Sequence, residues 1–167
     1  MQALNHKEPD RVPVDLGATI VSSISRQAYL ELIRHLGLPL EETKLLDYVQ
    51  QLPYLNEALM QRFEVDFRMV QLPAATTSEV EIFEEGDYYA FIDRWGSKLH
   101  MPKTGGFYFD WVDFPIKEPT MAALDAYRWP RPDTVEINAR LGQQAKHLYE
   151  NSEYALVGSA VIGGGIF

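Results

Sequence analysis

The stretch that decides the fold runs from Tyr154 to Gly165 and reads YALVGSAVIGGG. From Tyr154 to Ile162 every residue is small or apolar, without the polar and apolar alternation of a strand that has one wet face. Such a run is typical of a strand buried on both faces in a parallel sheet. We therefore predict an α/β fold with a buried strand over Tyr154–Ile162 that ends in the loop Gly163–Gly165.

This strand lies at the end of the chain. A parallel strand is joined to its next neighbour by a crossover, usually a helix, and its faces are covered by such helices. Here only the glycine loop, Ile166 and Phe167 follow it. We therefore expect the natural sequence to continue beyond Phe167.

The upstream sequence alternates between strand-like and helix-like patterns of apolar residues. Ser22 or Ser23 would cap the first helix, and Pro13 suits the start of a strand or a strand at a sheet edge. The predicted elements are a strand over Arg11–Gly17, a helix from Ile24 to Leu36 that Gly37 ends, a helical segment Glu41–Phe63 that Pro53 splits or kinks, a strand Val65–Pro73, and a helix with apolar residues from Ile137 to Leu148 that ends near Asn151.

Residues 78–116 have a different pattern. Val80 and Ile82 alternate with glutamates, and Gly86 and Gly105 mark turns, so we predict an antiparallel insertion of two hairpins. The chain then forms one incomplete domain over residues 1–167. Residues 1–77 hold the first βα units, 78–116 hold the insertion, and 117–167 hold the helices and the buried strand.

Composition excludes several classes of function. The net charge is −9 and no run of Lys or Arg occurs, which disfavours nucleic acids and anionic membranes as partners. The chain has no cysteine, which excludes disulfides, thiolate zinc sites and a cysteine nucleophile from it. No signal peptide or membrane-length apolar stretch is visible, so a cytoplasmic protein is expected. The four histidines share no ligand spacing and predict no metal site: His6, His35, His100 and His147.

A family resemblance covers nearly the whole chain. Ala3–Val14 reads ALNHKEPDRVPV and resembles the opening of the uroporphyrinogen decarboxylase superfamily. Further blocks follow in the same order: Phe63–Arg68, Asp93–Gly96, Phe114–Ile116, Leu124–Pro130 and Gly163–Phe167. The resemblance implies that this chain is the N-terminal half of a (β/α)8 TIM barrel, interrupted by the antiparallel hairpin insertion.

The superfamily has two broad activities, which are cofactor-free decarboxylation of uroporphyrinogen and methyl transfer involving corrinoid proteins, in some members with zinc. The decarboxylases carry a loop with two arginines that falls near Ala18 and Ser22, and an aspartate that falls near Pro73. None of these residues is a cation or a carboxylate. Arg26 superficially resembles an arginine of that loop, but it lies in a segment whose apolar residues recur at helical spacing. These departures favour the methyltransferase-like members.

In such a barrel, ligands bind at the carboxyl ends of the strands. Asp15 is the candidate catalytic residue, as a general base or an orienting acceptor, although aspartate often only caps a turn. The glycine amides could hold an anion or a carbonyl oxygen, or the glycines could simply form turns. The candidate substrate-binding residues are Gly17, Thr19, Gln71, Arg94, Ser159, Gly163, Gly164 and Gly165.

An aromatic set could wall a cavity for a flat ligand or a corrinoid, or pack a hairpin onto the barrel. It consists of Trp95, Phe107, Tyr108, Phe109 and Trp111.

Three hypotheses follow. The first is an enzyme of corrinoid-dependent methyl transfer from a small methylated substrate, in which residues beyond this chain supply zinc and this part alone is inactive. The second is a uroporphyrinogen decarboxylase, a carboxy-lyase of porphyrin biosynthesis. The third is a truncated, non-catalytic accessory subunit, whose open sheet edge would require a partner or a homodimer.

Overall fold

A computed structural model describes residues 2–40, 42–70, 80–129 and 134–158, with residues 134–139 described as backbone only. These residues form two compact units, one from the segments up to Lys44, 53–70 and 134–158, the other from 45–52 and 80–129. The helices, after a short 3-10 turn at Ala3–Asn5, are α1 (Arg26–Leu36), α2 (Glu57–Arg62), α3 (Met121–Ala126) and α4 (Thr134–Asn151). The strands are β1 (Leu45–Asp47), β2 (Leu52–Pro53), β3 (Phe67–Val70), β4 (Phe83–Glu85), β5 (Tyr88–Ile92), β6 (Lys98–Pro102), β7 (Asp110–Asp113) and β8 (Ala155–Gly158).

The first unit contains a parallel strand pair. β3 and β8 run side by side, with Phe67 opposite Ala155 and Val70 opposite Gly158. Helix α4 ends just before β8 and contacts both strands, as the crossover helix of a βαβ unit does. The predicted parallel pairing of the C-terminal strand is confirmed. The sheets of the described residues hold two, two and four strands and none closes into a barrel, so the barrel stays a prediction.

Burial of β8 differs from the prediction. Ala155, Leu156 and Val157 are half-buried and Gly158 is exposed, so burial on both faces is wrong for these residues. Among the described residues only β3 pairs with β8, which therefore keeps one open edge. Residues 159–162 of the predicted strand lie outside the described part of the chain.

Helix α1 begins later than predicted. Ser25, and not Ser22 or Ser23, is the N-cap, and its hydroxyl accepts a hydrogen bond from the Ala28 amide at 3.4 Å. The predicted stop is confirmed, because Gly37 has φ 65°, a left-handed conformation that glycine adopts without strain.

The core of the first unit lies between α1 and α2. Tyr29 and Ile33 of α1 are buried together with Leu59 of α2, and Ile24 and Leu55 pack against them. Asn56 starts α2, since its side-chain oxygen accepts the Leu59 amide at 2.8 Å. The sequence spacing predicts an apolar stripe of Ile24, Ala28, Leu32 and Leu36, widened by Tyr29 and Ile33. In the structure Ala28 is exposed, and Tyr29 and Ile33 are the buried residues of the helix.

The predicted helical segment Glu41–Phe63 is wrong over its first part. Residues 45–53 form the β1–β2 hairpin, and only Glu57–Arg62 is helical. Asp47 accepts the Gln50 amide at 2.8 Å, which favours a turn over a helix at that point. The apolar spacing of the hairpin imitated a helical period, and Pro53 is compatible with the short strand.

The predicted strand Arg11–Gly17 is also wrong, because this segment is irregular. Pro13 has no amide to contribute to a ladder. The Val14 carbonyl nevertheless accepts the Asp66 amide at 2.9 Å, and the Val14 amide donates to the Asp66 carboxylate at 2.8 Å. The segment is therefore held beside the start of β3 without being a strand.

The second unit is built on an antiparallel sheet in the order β4-β5-β6-β7. The predicted antiparallel pairing of this segment is confirmed, although the two hairpins join into one four-stranded sheet and its first strand begins at Phe83, after Val80 and Ile82. Gly86 and Asp87 form a two-residue turn with Gly86 at φ 57°. Phe91, Leu99 and Phe109 are the buried core of this unit.

Helix α4 agrees with the helix predicted before the C-terminal strand. Helix α4 ends at Asn151 as predicted, and Leu141, Ala145 and Leu148 on its predicted stripe are more buried than their neighbours. Asp133, which with Glu136 resembles a capping box in the sequence, lies outside the described residues, as do Pro130 and Pro132. No helix of the described segments is long and apolar enough to cross a membrane.

Candidate functional site

The loop that carries Asp15, Gly17 and Thr19 is closed by its own hydrogen bonds. Asp15 Oδ1 accepts the Ala18 amide at 3.1 Å, and the Gly17 amide donates to the Ser22 carbonyl at 3.1 Å. The Thr19 amide donates to Ser22 Oγ at 3.1 Å, and the two hydroxyls are also 3.1 Å apart. These three amides have partners inside the loop, so they do not form the anion-holding amide cradle considered from the sequence.

Gly17 has a structural role in this loop. Its φ is 83°, and a Cβ added there would come within 2.7 Å of Leu55 Cδ1. Both the backbone conformation and the close approach of Leu55 therefore require glycine. Ala18 beside it is only 1% exposed, so its side chain packs inside the protein and does not face a ligand.

Asp15 remains accessible within the same loop. Its carboxylate is exposed, and the bond from the Ala18 amide to Oδ1 orients it. This is the turn-capping role weighed from the sequence, and it leaves the carboxylate able to accept a further hydrogen bond from a ligand. Among the predicted site residues, the structure thus brings Asp15, Gly17 and Thr19 together in one loop.

Arg11 and Asp66 form a two-pronged ion pair near this loop in the sequence. Arg11 Nη1 lies 3.0 Å from Asp66 Oδ2, and Arg11 Nη2 lies 2.8 Å from Asp66 Oδ1. The same guanidinium donates to the Glu64 carbonyl at 3.1 Å. These bonds use three of the five N–H donors of the guanidinium and pair its charge with Asp66, so Arg11 fixes the N-terminal segment to the start of β3.

Arg68 lies at the centre of a second cluster in the same unit. It is 6% exposed, and its Nε and Nη2 donate to the two Glu57 carboxylate oxygens at 3.0 and 2.6 Å. Its Nη1 donates to the carbonyls of Val65 and Phe67. The guanidinium carbon lies 3.6 Å from the centroid of the Tyr154 ring, a cation–π contact. The cluster therefore ties α2, β3 and the residue before β8 together.

The contacts with Arg68 change the pKa of the Glu57 carboxyl. The hydrogen bonds from Arg68 hold the pKa of Glu57 below its ordinary value of 4.5, while partial burial opposes the shift and smaller contributions come from Gln61 and Tyr154. A carboxyl whose pKa is lowered by folding stabilises the folded state above its unfolded pKa and loses that contribution as pH falls through the folded pKa.

A pH dependence of stability follows for Glu57. We expect the free energy of unfolding of the native chain to exceed that of Glu57→Gln near neutral pH, and the difference to shrink as pH falls from about 6 to about 3. Urea titrations at a series of pH values measure this difference. A difference that stays constant over the whole range would show that the carboxylate charge plays no part.

Arg94 and its neighbours lie in the second unit. Arg94 is exposed and its guanidinium carbon is 5.4 Å from the centroid of the Trp95 ring. The Trp95 carbonyl accepts the Tyr127 hydroxyl at 2.5 Å, and the Tyr127 ring stands edge-on to Trp129. Among the residues that the structure describes, Arg94 forms no salt bridge, and its unit is not the one that holds Asp15.

The predicted aromatic set does not act as one wall. Phe109 is buried in the core, where its ring meets Phe91 edge-on at 4.8 Å. Phe107, Tyr108 and Trp111 are exposed. The set is therefore divided between the core and the surface of the second unit.

The histidines offer no metal centre in the described part of the chain, where no group of three or more His, Asp or Glu side chains could hold an ion. His35 and His147 are exposed on helices, as expected for solvated residues. His100 is on strand β6, where Nε2 contacts Glu85 at 2.5 Å and the ring stacks on Tyr88. Lys98 also binds Glu85, and these hydrogen bonds lower the pKa of that carboxyl, with Lys98 making the larger contribution.

The remaining candidate residues lie in segments that the structure does not describe. Gln71, Ser159 and the loop Gly163–Gly165 lie outside the described residues. No protein-family model, no curated protein and no solved structure matches the chain. Its function is therefore argued from the contacts that its own residues make.

Two residues of the first unit were not singled out from the sequence, namely Glu57 and Tyr154. The available signal was Arg68, the only cation in the strand-like segment Val65–Val70, whose other charged residue is Asp66. An arginine is almost never buried without a carboxylate partner, so this position called for an acid elsewhere. The sequence alone did not indicate that the acid would come from α2.

Proposed function

We propose that this chain belongs to a methyltransferase-like member of the uroporphyrinogen decarboxylase superfamily and serves methyl transfer from a small methylated substrate, with a corrinoid protein as partner. The observation that carries the proposal is the ion pair of Arg11 with Asp66. Arg11 belongs to the first block of the resemblance and Asp66 to the second. Their bidentate contact supports a framework shared with that superfamily, because neither residue could be replaced without losing the ion pair.

Contacts within the second unit support the same proposal. The Trp95 carbonyl of one block accepts the hydroxyl of Tyr127 from another. A Cβ added at Gly96, in the same block as Trp95, would lie in van der Waals contact with Pro115 of a third. Sequence blocks that contact one another in space constrain one another's identity, which a chance resemblance of short motifs would not produce.

The charges of the described residues favour a small substrate over a polycarboxylate. Burying several carboxylates requires cations that are free to pair with them. Arg11 and Arg68 are both engaged in internal ion pairs. Ala18 is buried and Ser22 bonds within its own loop, so neither position supplies a cation.

In the loop of Asp15, Gly17 and Thr19, Asp15 carries the side chain that could bind a protonated methyl donor. When a methyl group leaves a heteroatom, the heteroatom keeps the bonding electron pair, so the reaction is easier from a protonated or cationic donor. The oriented carboxylate of Asp15 would accept a hydrogen bond from the protonated heteroatom and hold it in place. The described residues provide no zinc ligand set, and no step is assigned to zinc.

Asp15→Asn tests this role, because the asparagine oxygen can still accept the Ala18 amide while the charge is lost. We expect methyl transfer to a reduced corrinoid, from a panel of methylated amines, alcohols and thiols, to fall about 100-fold in the gene product that carries this sequence. The free energy of unfolding should change by less than about 0.5 kcal/mol. Methyl transfer is read from the absorbance of the corrinoid.

Glu31→Gln is the matched control, because it removes an exposed carboxylate from α1 of the same unit and should leave methyl transfer unchanged. Unchanged methyl transfer in Asp15→Asn would remove Asp15 from the site. The absence of transfer from every donor in the panel by the native protein would contradict the proposed function itself.

A further inference from the structure

Strand β7 forms one edge of the four-stranded sheet. It pairs with β6 on one side, and no strand of the described residues pairs with its other side. All of Asp110–Asp113 is exposed, and the side chains of Trp111 and Val112 are 49% and 48% exposed. An unpaired strand edge offers its backbone N–H and C=O groups to a strand from another chain.

Large apolar side chains continue on both sides of this strand. Phe107 and Tyr108 precede β7, Phe114 follows it, and each is more than half exposed. Gly105, with φ 72°, belongs to the turn that leads into this segment. Exposed apolar residues concentrated along a strand edge indicate a surface that binds protein.

Charge decides which partner this edge accepts. Asp110 and Asp113 flank the two apolar residues, and Asp113 is also paired with Lys117. Two copies of β7 side by side and antiparallel would set Asp110 of each copy against Asp113 of the other. Like charges directly opposite each other destabilise a strand pair, and the net charge of −9 on each chain adds repulsion. A second copy is therefore a poor occupant of the edge.

We propose that β7 binds an extended segment of a partner protein that carries lysine or arginine, by adding it as a further strand to the sheet. The backbone bonds of the new strand would give affinity, and Asp110 would select a basic side chain on it, since Asp113 is already paired with Lys117. This surface lies on the second unit and is independent of the proposed methyl transfer.

Short peptides test the proposal by calorimetry with the full chain. One peptide alternates threonine and valine and has a lysine near each end, and its counterpart has glutamates at the same places. We expect the lysine peptide to bind about tenfold more tightly than the glutamate peptide. Asp110→Lys should reverse that preference, while Asp125→Lys on α3, with the same change of charge, should leave both affinities within about twofold.

Backbone pairing needs its own readout, because charge alone attracts a basic peptide. Methylating the peptide's amide nitrogens removes donors without changing charge, and should weaken binding about tenfold. Amide exchange of Asp110–Asp113 should slow when the unmethylated peptide is bound. Equal binding of methylated and unmethylated peptides, equal binding of both charge types, or no binding at all would overturn the proposal. Sedimentation as a dimer that Asp110→Lys strengthens would identify a second copy as the occupant instead and would also overturn it.

Discussion

Arg68→Met is expected to lower the free energy of unfolding by about 2–4 kcal/mol. Methionine replaces the aliphatic part of arginine with an unbranched apolar chain but offers no donors. The change would leave the Val65 and Phe67 carbonyls without their Arg68 partner and Glu57 without its cation. Because Glu57 is half-exposed and water can reach it, the cost lies below that of a fully buried pair.

Chemical denaturation of matched variants measures this cost. Arg62→Met removes an exposed arginine at the end of α2 and should change stability by less than about 0.5 kcal/mol. In a Glu57→Gln background the cost of Arg68→Met should shrink by about 1 kcal/mol or more, since the two side chains are in contact. Equal effects of Arg68→Met and Arg62→Met would show that the cluster does not hold the first unit together.

Phe91→Ala is expected to cost about 3–5 kcal/mol. Phe91 is fully buried in the second unit, where it packs edge-on against Phe109 beside Leu99. Alanine would lose both the transfer free energy of the ring and the edge-to-face contact, and would leave a cavity.

Phe107→Ala is the matched control for this variant, since its ring is mostly exposed and its removal should cost less than about 0.5 kcal/mol. Thermal or urea unfolding, followed by the near-ultraviolet signal of the aromatic residues, compares the two variants. Similar losses in both would mean that Phe91 is not at the core of the antiparallel sheet.

The sequence was most informative where one local signal dominated. Gly37 ended α1 because a glycine at that position allows the left-handed conformation. The turns at Gly86 and Gly105 marked the antiparallel insertion correctly, because glycine turns between alternating segments specify hairpins with few alternatives.

Patterns failed where tertiary contacts or turn chemistry outweighed them. Residues 45–53 have helical apolar spacing but form a hairpin, in which Asp47 stabilises a turn and Leu46 and Leu52 are buried. Arg11–Gly17 has the composition of a strand, yet Pro13 limits its backbone pairing and the segment is held by the Asp66 side chain.

The candidate site was predicted in part. Proximity of Asp15, Gly17 and Thr19 follows from their positions in one short segment. What each contributes depended on partners that the sequence does not indicate, such as Leu55 against Gly17 and Ser22 against Thr19. The Arg68 cluster depends on Glu57 and Tyr154, which lie 11 and 86 positions from Arg68 in the sequence. Only the fold brings these residues together.

Product analysis after incubation with uroporphyrinogen tests most directly whether the protein lies on the methyl-transfer side of its proposed superfamily. The natural gene product is incubated anaerobically with uroporphyrinogen, and the porphyrins are oxidised and separated by the number of carboxylates they retain. We predict unchanged uroporphyrinogen, because Ala18 and Ser22 supply no cation for its carboxylates. Formation of coproporphyrinogen above the rate without protein would contradict the proposed function.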